Sequence, residues 1–349
     1  MPRFSARATG RRFAALTVPG RRGHAWRVLA CTVACVPICA MGACSVHTSQ
    51  SQSSSSESSI AVEQAVAMQV DAAKVTVSQP GAQPQSVLAF SAPTGDDEPE
   101  PRTTTVTVGS GLDQHVAEAA AVKATAPDAP SGPVERVTLP LSTQVVQPTD
   151  EERDAAASDP APERAVKIRV ADGAPAAGFA TRWVQARSGQ VQSVTMAAPV
   201  DAADKDRSTT EKALMTVLSM PVIFPDQPIG PGATWTVEAR VTGESALLQT
   251  TTFTLVEAPR DGQVKVQVSV SQRPTIGALD IGAALGDEKA GSLEVLSSST
   301  TGGGVLTVDT AGGVPVSGAV SFVTRVVYGH DGSPTRVVQD AATSLEYHS

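Results

Sequence analysis

Residues 263–270, Gln-Val-Lys-Val-Gln-Val-Ser-Val, alternate polar and apolar side chains without a break. Only a strand presents one face at every second residue, so this stretch has a buried and a solvated side only as β-structure. The same period recurs in residues 191–196 and Val305–Val308, and Ser321–Tyr328 is rich in β-branched residues. Turn signals separate the runs: Ser188-Gly189, Asp261-Gly262, Ala311-Gly312-Gly313 and Asp331-Gly332. Such pairs tolerate the positive φ that tight hairpins demand. The pattern predicts hairpins joining 179–187 to 190–197, 249–258 to 263–272, 304–310 to 314–320 and 320–329 to 334–347. Further strands are expected at 65–78, 86–92, 102–108, 134–146 and 165–171. The acidic, Pro/Ala-rich stretches 93–101 and 148–163 read as exposed loops.

One helix is marked at both ends. Ser208-Thr209-Thr210-Glu211 fits a capping box, and Ala213, Leu214, Val217 and Leu218 follow at helical spacing before Pro221. A second helical pattern covers 112–123, with Leu112, Val116 and Ala119 or Ala120 on one face. Together these predict a mainly β (α+β) fold: a long antiparallel curved sheet or half-barrel with one or two helices on one face. Helix 208–219 would cover the concave side. A two-sheet sandwich with a peripheral helix is the alternative.

The N-terminus reads differently. Residues 1–43 hold seven arginines and no Asp or Glu, and an apolar run, Trp26–Ala43, ends at Met41-Gly42-Ala43-Cys44. A basic n-region, an apolar h-region and small residues before the cut form a secretory signal. Export by the general or the twin-arginine route stays open, because Arg11-Arg12 precedes only Phe13-Ala14-Ala15. Residues 44–59 form a Ser/Gln-rich tether, and 60–349 a single β-rich extracytoplasmic domain. Loss of 1–43 lowers the basic count from 27 to 20 and leaves all 35 acidic residues, a net charge of −15. Such a chain repels nucleic acid. Cys31, Cys35 and Cys39 leave with the signal, so Cys44 alone remains and no internal disulfide forms.

No catalytic or metal signature stands out. His47, His115, His330 and His348 lack ligand-spaced partners, and no G-x-S-x-G elbow occurs. Asp309 fits a turn acceptor, and the residues between Asp280 and Asp287-Glu288 lack the alternating oxygens of a calcium loop. No enzyme activity and no cofactor are expected.

The most distinctive segment is Pro225-Asp226-Gln227-Pro228-Ile229-Gly230-Pro231-Gly232-Ala233-Thr234-Trp235. With the lipobox-like Gly42-Ala43-Cys44 and the Gly303–Pro315 hairpin, it resembles an uncharacterised family of actinobacterial lipoproteins. Their central turn usually has Val where Ile229 stands here. That resemblance implies diacylglyceryl attachment at Cys44 and cleavage before it. In shape alone the chain also resembles LolA/LppX-type lipid carriers, which wrap a half-barrel around an apolar cavity.

Two functions follow as expectations for a lipoprotein anchored on the extracytoplasmic face of the cell membrane. One is a carrier of a lipid or other apolar envelope molecule. Its cavity beneath helix 208–219 would be lined by Leu214, Leu218, Ile223, Phe224, Trp235, Val266 and Val268, since small side chains fill a curved sheet poorly. The other is a structural or protein-docking lipoprotein with a solid core. Both require the anchor. Cys44→Ala is expected to release the protein into the medium, and mass spectrometry of the mature N-terminus is expected to find a lipid-modified Cys44.

Overall fold

The computed structural model describes residues 61–93, 99–155, 160–241, 247–275, 278–280 and 292–349. Glu57–Ser349 form one compact unit. The signal, Cys44 and the tether lie outside the described residues.

In chain order the strands are β1 (Val66–Gln69), β2 (Lys74–Gln79), β3 (Arg102–Glu118), β4 (Glu135–Val146), β5 (Arg164–Val170), β6 (Ala180–Gln185) and β7 (Val191–Ala197). They continue with β8 (Thr234–Val241), β9 (Leu247–Leu255), β10 (Gln263–Pro274), β11 (Ala278–Asp280), β12 (Ser292–Asp309), β13 (Ser317–Gly329) and β14 (Thr335–His348). Helix α1 spans Asp150–Ala155, α2 spans Asp204–Leu218, and Ala119–Ala121 form one 3-10 turn. All pairings are antiparallel. One path runs β1-β7-β6-β5-β4-β3-β14-β13-β12-β10-β9-β8-β2, and β11 pairs with β12 beside it. The expected β-dominated curved sheet is thus what the chain forms.

The order itself dictates the curvature. The two outermost strands, β1 and β2, are consecutive in sequence and joined only by residues 70–73. Laid flat, thirteen strands would span about 58 Å at the usual spacing of ~4.8 Å. A link of five Cα steps reaches roughly 17 Å. The sheet must therefore roll until its edges approach, an almost closed barrel whose open seam lies between β1 and β2.

Glycines make the bend possible. Gly302 takes φ +124° and Gly318 φ +109°. A Cβ on Gly304 would fall 1.9 Å from the Ala319 carbonyl oxygen of the neighbouring strand. Glycine inside a strand marks such a corner.

Inside, register partners form continuous apolar rows. Trp235, Phe253, Val268, Gly304, Val320, Leu345 and Val108 follow one another across seven strands. On this concave face lies α2, packed against β3 and β4 with Ala213, Leu214, Val217 and Leu218 buried.

Four local expectations are corrected. The helix begins at Asp204, four residues before the capping box, with Ala203 as an N-cap that makes no side-chain bond. Asp204 and Asp206 in its first turn complement the helix dipole instead. Residues 112–118 are strand, the far half of β3, and helical geometry there shrinks to the 3-10 turn. The 65–78 strand is split by residues 70–73 at the seam. Residues 86–92 form a strap bridged at Ser86–Ile229, not a strand.

The bend generates a stability prediction. Gly304→Ala is expected to cost about 3 kcal/mol, the upper range for overpacking. Val305→Ala, on the opposite face, should cost well under half of that. Denaturant unfolding of the two variants measures the difference.

Candidate functional site

The residues singled out for a cavity are all core. Leu214 and Leu218 on α2, Ile223 and Phe224 on the α2–β8 connector, Trp235 on β8, and Val266 and Val268 on β10 are buried in one cluster. Trp235 Nε1 donates to the Ile223 carbonyl at 2.8 Å. Its ring centroid lies 6.3 Å from that of Phe224 and 5.5 Å from that of Phe253. A void of about 40 Å³ does lie at the C-terminal end of α2, between Val217, Met220, Val222, Trp183, Val308 and Tyr347. None of the seven lines it. That volume suits a water or two, against the several hundred Å³ of ligand pockets.

Loops fill this end, here called the closed end. The strap hydrogen-bonds from Phe90 N to Arg187 O and from Ser91 N to Thr310 O. Beneath it sits Arg164 of β5, fully buried. Its guanidinium donates to the carbonyls of Ser91, Thr310 and Gly312, and stacks 4.8 Å above the Phe90 ring. Burial pulls its pKa down to about 10, partly offset by Asp309 nearby. Asp309 itself pairs with Arg102 at 2.5 Å. One cation thus ties the strap and the β12–β13 turn to the sheet. A shallow hollow of about 240 Å³ lies beside it, lined by residues that include Ser91, Pro93, Arg102, Thr143 and Gly312.

The opposite, or entry, end differs. Here lie the β3–β4, β5–β6, β7–α2 and β13–β14 connections, and here the chain enters at residue 61. Val200 N bonds Ala61 O, and Glu63 N bonds Ala198 O. Toward this end a polar band closes the apolar core. Gln272 Nε2 donates to Gln249 Oε1 at 2.8 Å, and Thr324 donates to Gln272 Oε1 at 2.9 Å. Gln249 donates onward to the Ser219 carbonyl at the foot of α2. Buried amides linked this way are satisfied, which keeps the band stable.

Beyond the band the longest strands, β3, β12, β13 and β14, continue. Their concave face turns apolar again. Leu112 pairs with Ala341, which pairs with Thr324 of the band, so Leu112 shares its face. Two residues further along β3 come Gln114 and then Val116, opposite Val337, which in turn pairs with Tyr328. Burial raises the Tyr328 pKa. Leu112 is 57% exposed and Val116 68%. An extension merely solvated on both sides has no physical reason to repeat apolar residues on one of them. The sequence held this signal, since Leu112 and Val116 stood out there on a supposed helix.

On the convex face a second cluster holds the β3–β4 connection. Asp340 of β14 accepts two bonds from Arg325 of β13, both 2.7 Å, and one from Ser131. Arg325 also reaches the carbonyls of Lys123 and Thr125. Burial alone would raise the Asp340 pKa; the Arg325 and Ser131 hydrogen bonds outweigh it and hold it below the ordinary carboxylate range. His115 Nδ1 lies 2.9 Å from Asp113 Oδ2 on the same strand face. Ser131 gives its proton to a carboxylate already bound by arginine, which makes it a clamp. Among the described residues no group of three His, Cys, Asp or Glu could hold a metal ion.

No protein-family model, no curated protein and no solved structure matches the chain.

The Asp340 clamp generates a pH prediction. A carboxylate with a depressed folded pKa stabilises the fold above its unfolded pKa, and that contribution disappears as pH falls through the folded value. Asp340→Asn leaves Arg325 without its charge partner and is expected to cost about 3–5 kcal/mol near pH 7. The gap from wild type should narrow steadily below about pH 4. Urea unfolding across that range reads it.

Proposed function

We propose that this protein is a membrane-anchored extracytoplasmic lipoprotein, non-catalytic, that binds an apolar envelope molecule on the concave face at its entry end. The observation carrying this reading is a pair of exposed apolar residues on the concave face, Leu112 in the row of Thr324 of the polar band and Val116 beyond it. In this reading the ligand surface is the extension of the long strands rather than a cavity under α2. The acyl chain at Cys44 supplies the anchor.

The second reading, a docking lipoprotein without small-molecule ligand, draws on the packed core and its 40 Å³ void. One experiment separates them. Native mass spectrometry of protein purified from its own envelope is expected to show bound lipid. Leu112→Asp with Val116→Asp should remove it, and both sites are exposed enough to leave folding intact. Val87→Asp, on the strap at the closed end, should retain it. A ligand-free wild type would decide for the docking reading, and lipid still held by the double variant would overturn the site at Leu112 and Val116.

A further inference from the structure

We infer that the entry end is a bilayer-contacting surface, with the tip of β3 dipping into the lipid interface. The inference rests on the anchoring at Cys44 proposed above.

Three observations meet at this end. The first is where the described chain begins. Ala61 is hydrogen-bonded beside the start of α2, and Cys44 lies 17 residues earlier in the sequence. A random coil of that length has a mean reach of about 22 Å. Turning the closed end to the membrane would require the tether to run back along the barrel. The twelve residues of β10 alone extend about 40 Å. The anchor therefore holds the entry end nearest the bilayer.

The second is the distribution of exposed apolar side chains. Val62 and Val200 flank the point of entry, and Leu112, Val116 and Leu296 lie on the strands that project there. The closed end shows Val87 and Val256.

The third is the composition of the tip. From Val116 to Val122 the chain reads Val-Ala-Glu-Ala-Ala-Ala-Val, with Glu118 as its one charge and Ala120 and Ala121 exposed. A projecting turn of small apolar residues gains by entering the headgroup–acyl boundary, at about 25 cal/mol per Å² removed from water. The partner this fits is the hydrocarbon margin of a bilayer. With an acidic chain, anionic headgroups would oppose the contact.

The test uses the lipidated full chain. Its Cys44 sulfur is blocked as a thioether, so one introduced cysteine is its only free thiol. Val116→Cys and, at the closed end, Val256→Cys are purified from membranes and labelled with a polarity-sensitive fluorophore. They are then reconstituted into phosphatidylcholine vesicles containing a spin-labelled lipid. The expected result is one label per chain, a blue-shifted emission at position 116, and quenching there at least threefold greater than at 256. One label per chain with equal quenching at the two positions, or none at 116, overturns the bilayer contact and leaves the anchor standing. Two labels per chain show a free Cys44 and overturn the anchor, and with it this inference.

Discussion

The pairing of β14 with β3 is the joint on which the molecule depends. Two meanders, β3 to β7 and β8 to β14, would otherwise be separate sheets with exposed edges. The ladder from Thr335↔Glu118 to His348↔Thr105 fuses them along all of β14 and most of β3. Every apolar row described above crosses that joint, because Leu345 and Val108 are consecutive members. So does the clamp face, where Asp340 and Asp113 stand opposite each other. An edge strand left unpaired on either meander would invite association with other chains. Pairing them consumes two edges at once and leaves only the short β1 and β2 at the seam.

Why the interior is full is a separate matter. Small side chains on a curved sheet do leave space, and the inner rows contain Val, Gly and Ala in quantity. The closed end fills it from elsewhere. Phe90 from the strap meets Phe224 of the connector after α2, Phe224 meets Trp235, and Trp235 stacks on Phe253 of the sheet. The scarce aromatic residues are thus concentrated where strands alone would leave a hole. Arg164 then binds three loop carbonyls in a place where water cannot do so. The fill ends at the polar band, and past it no such plug lies on the long strands among the described residues.

How much of this the sequence disclosed depends on the range of the interaction. Hairpins were legible because a turn and its two strands are adjacent. Asp261 and Gly262 take φ of 50° and 78°, as the dipeptide implied. Leu112 and Val116 illustrate the limit. A separation of four returns to the same face in a helix and also in a strand, so the pair alone cannot distinguish them. What decided the matter was β14, more than two hundred residues away, which offered β3 a full ladder. The start of α2 was missed for a related reason. Ser208 could cap a helix, but Asp204 and Asp206 suit a first turn that begins earlier, and Arg207 in that turn pairs with Glu63 near the start of the described chain. The packed closed end was not legible at all, since no local pattern tells which loop residues fold back over a sheet.

The position of β14 also sets the order of events when the chain is made. Thr105 finds its partner on β14 only once His348, more than two hundred residues later, has been synthesised. Sheets built from contacts this distant in sequence form slowly, because loop closure must precede the stabilising pairs. Synthesis at roughly 5–20 residues per second adds a further delay. The nascent chain therefore remains open for many seconds, with β3 paired to β4 on one side only. Placing the last strand in the middle of the sheet acts as a clock that keeps folding behind synthesis.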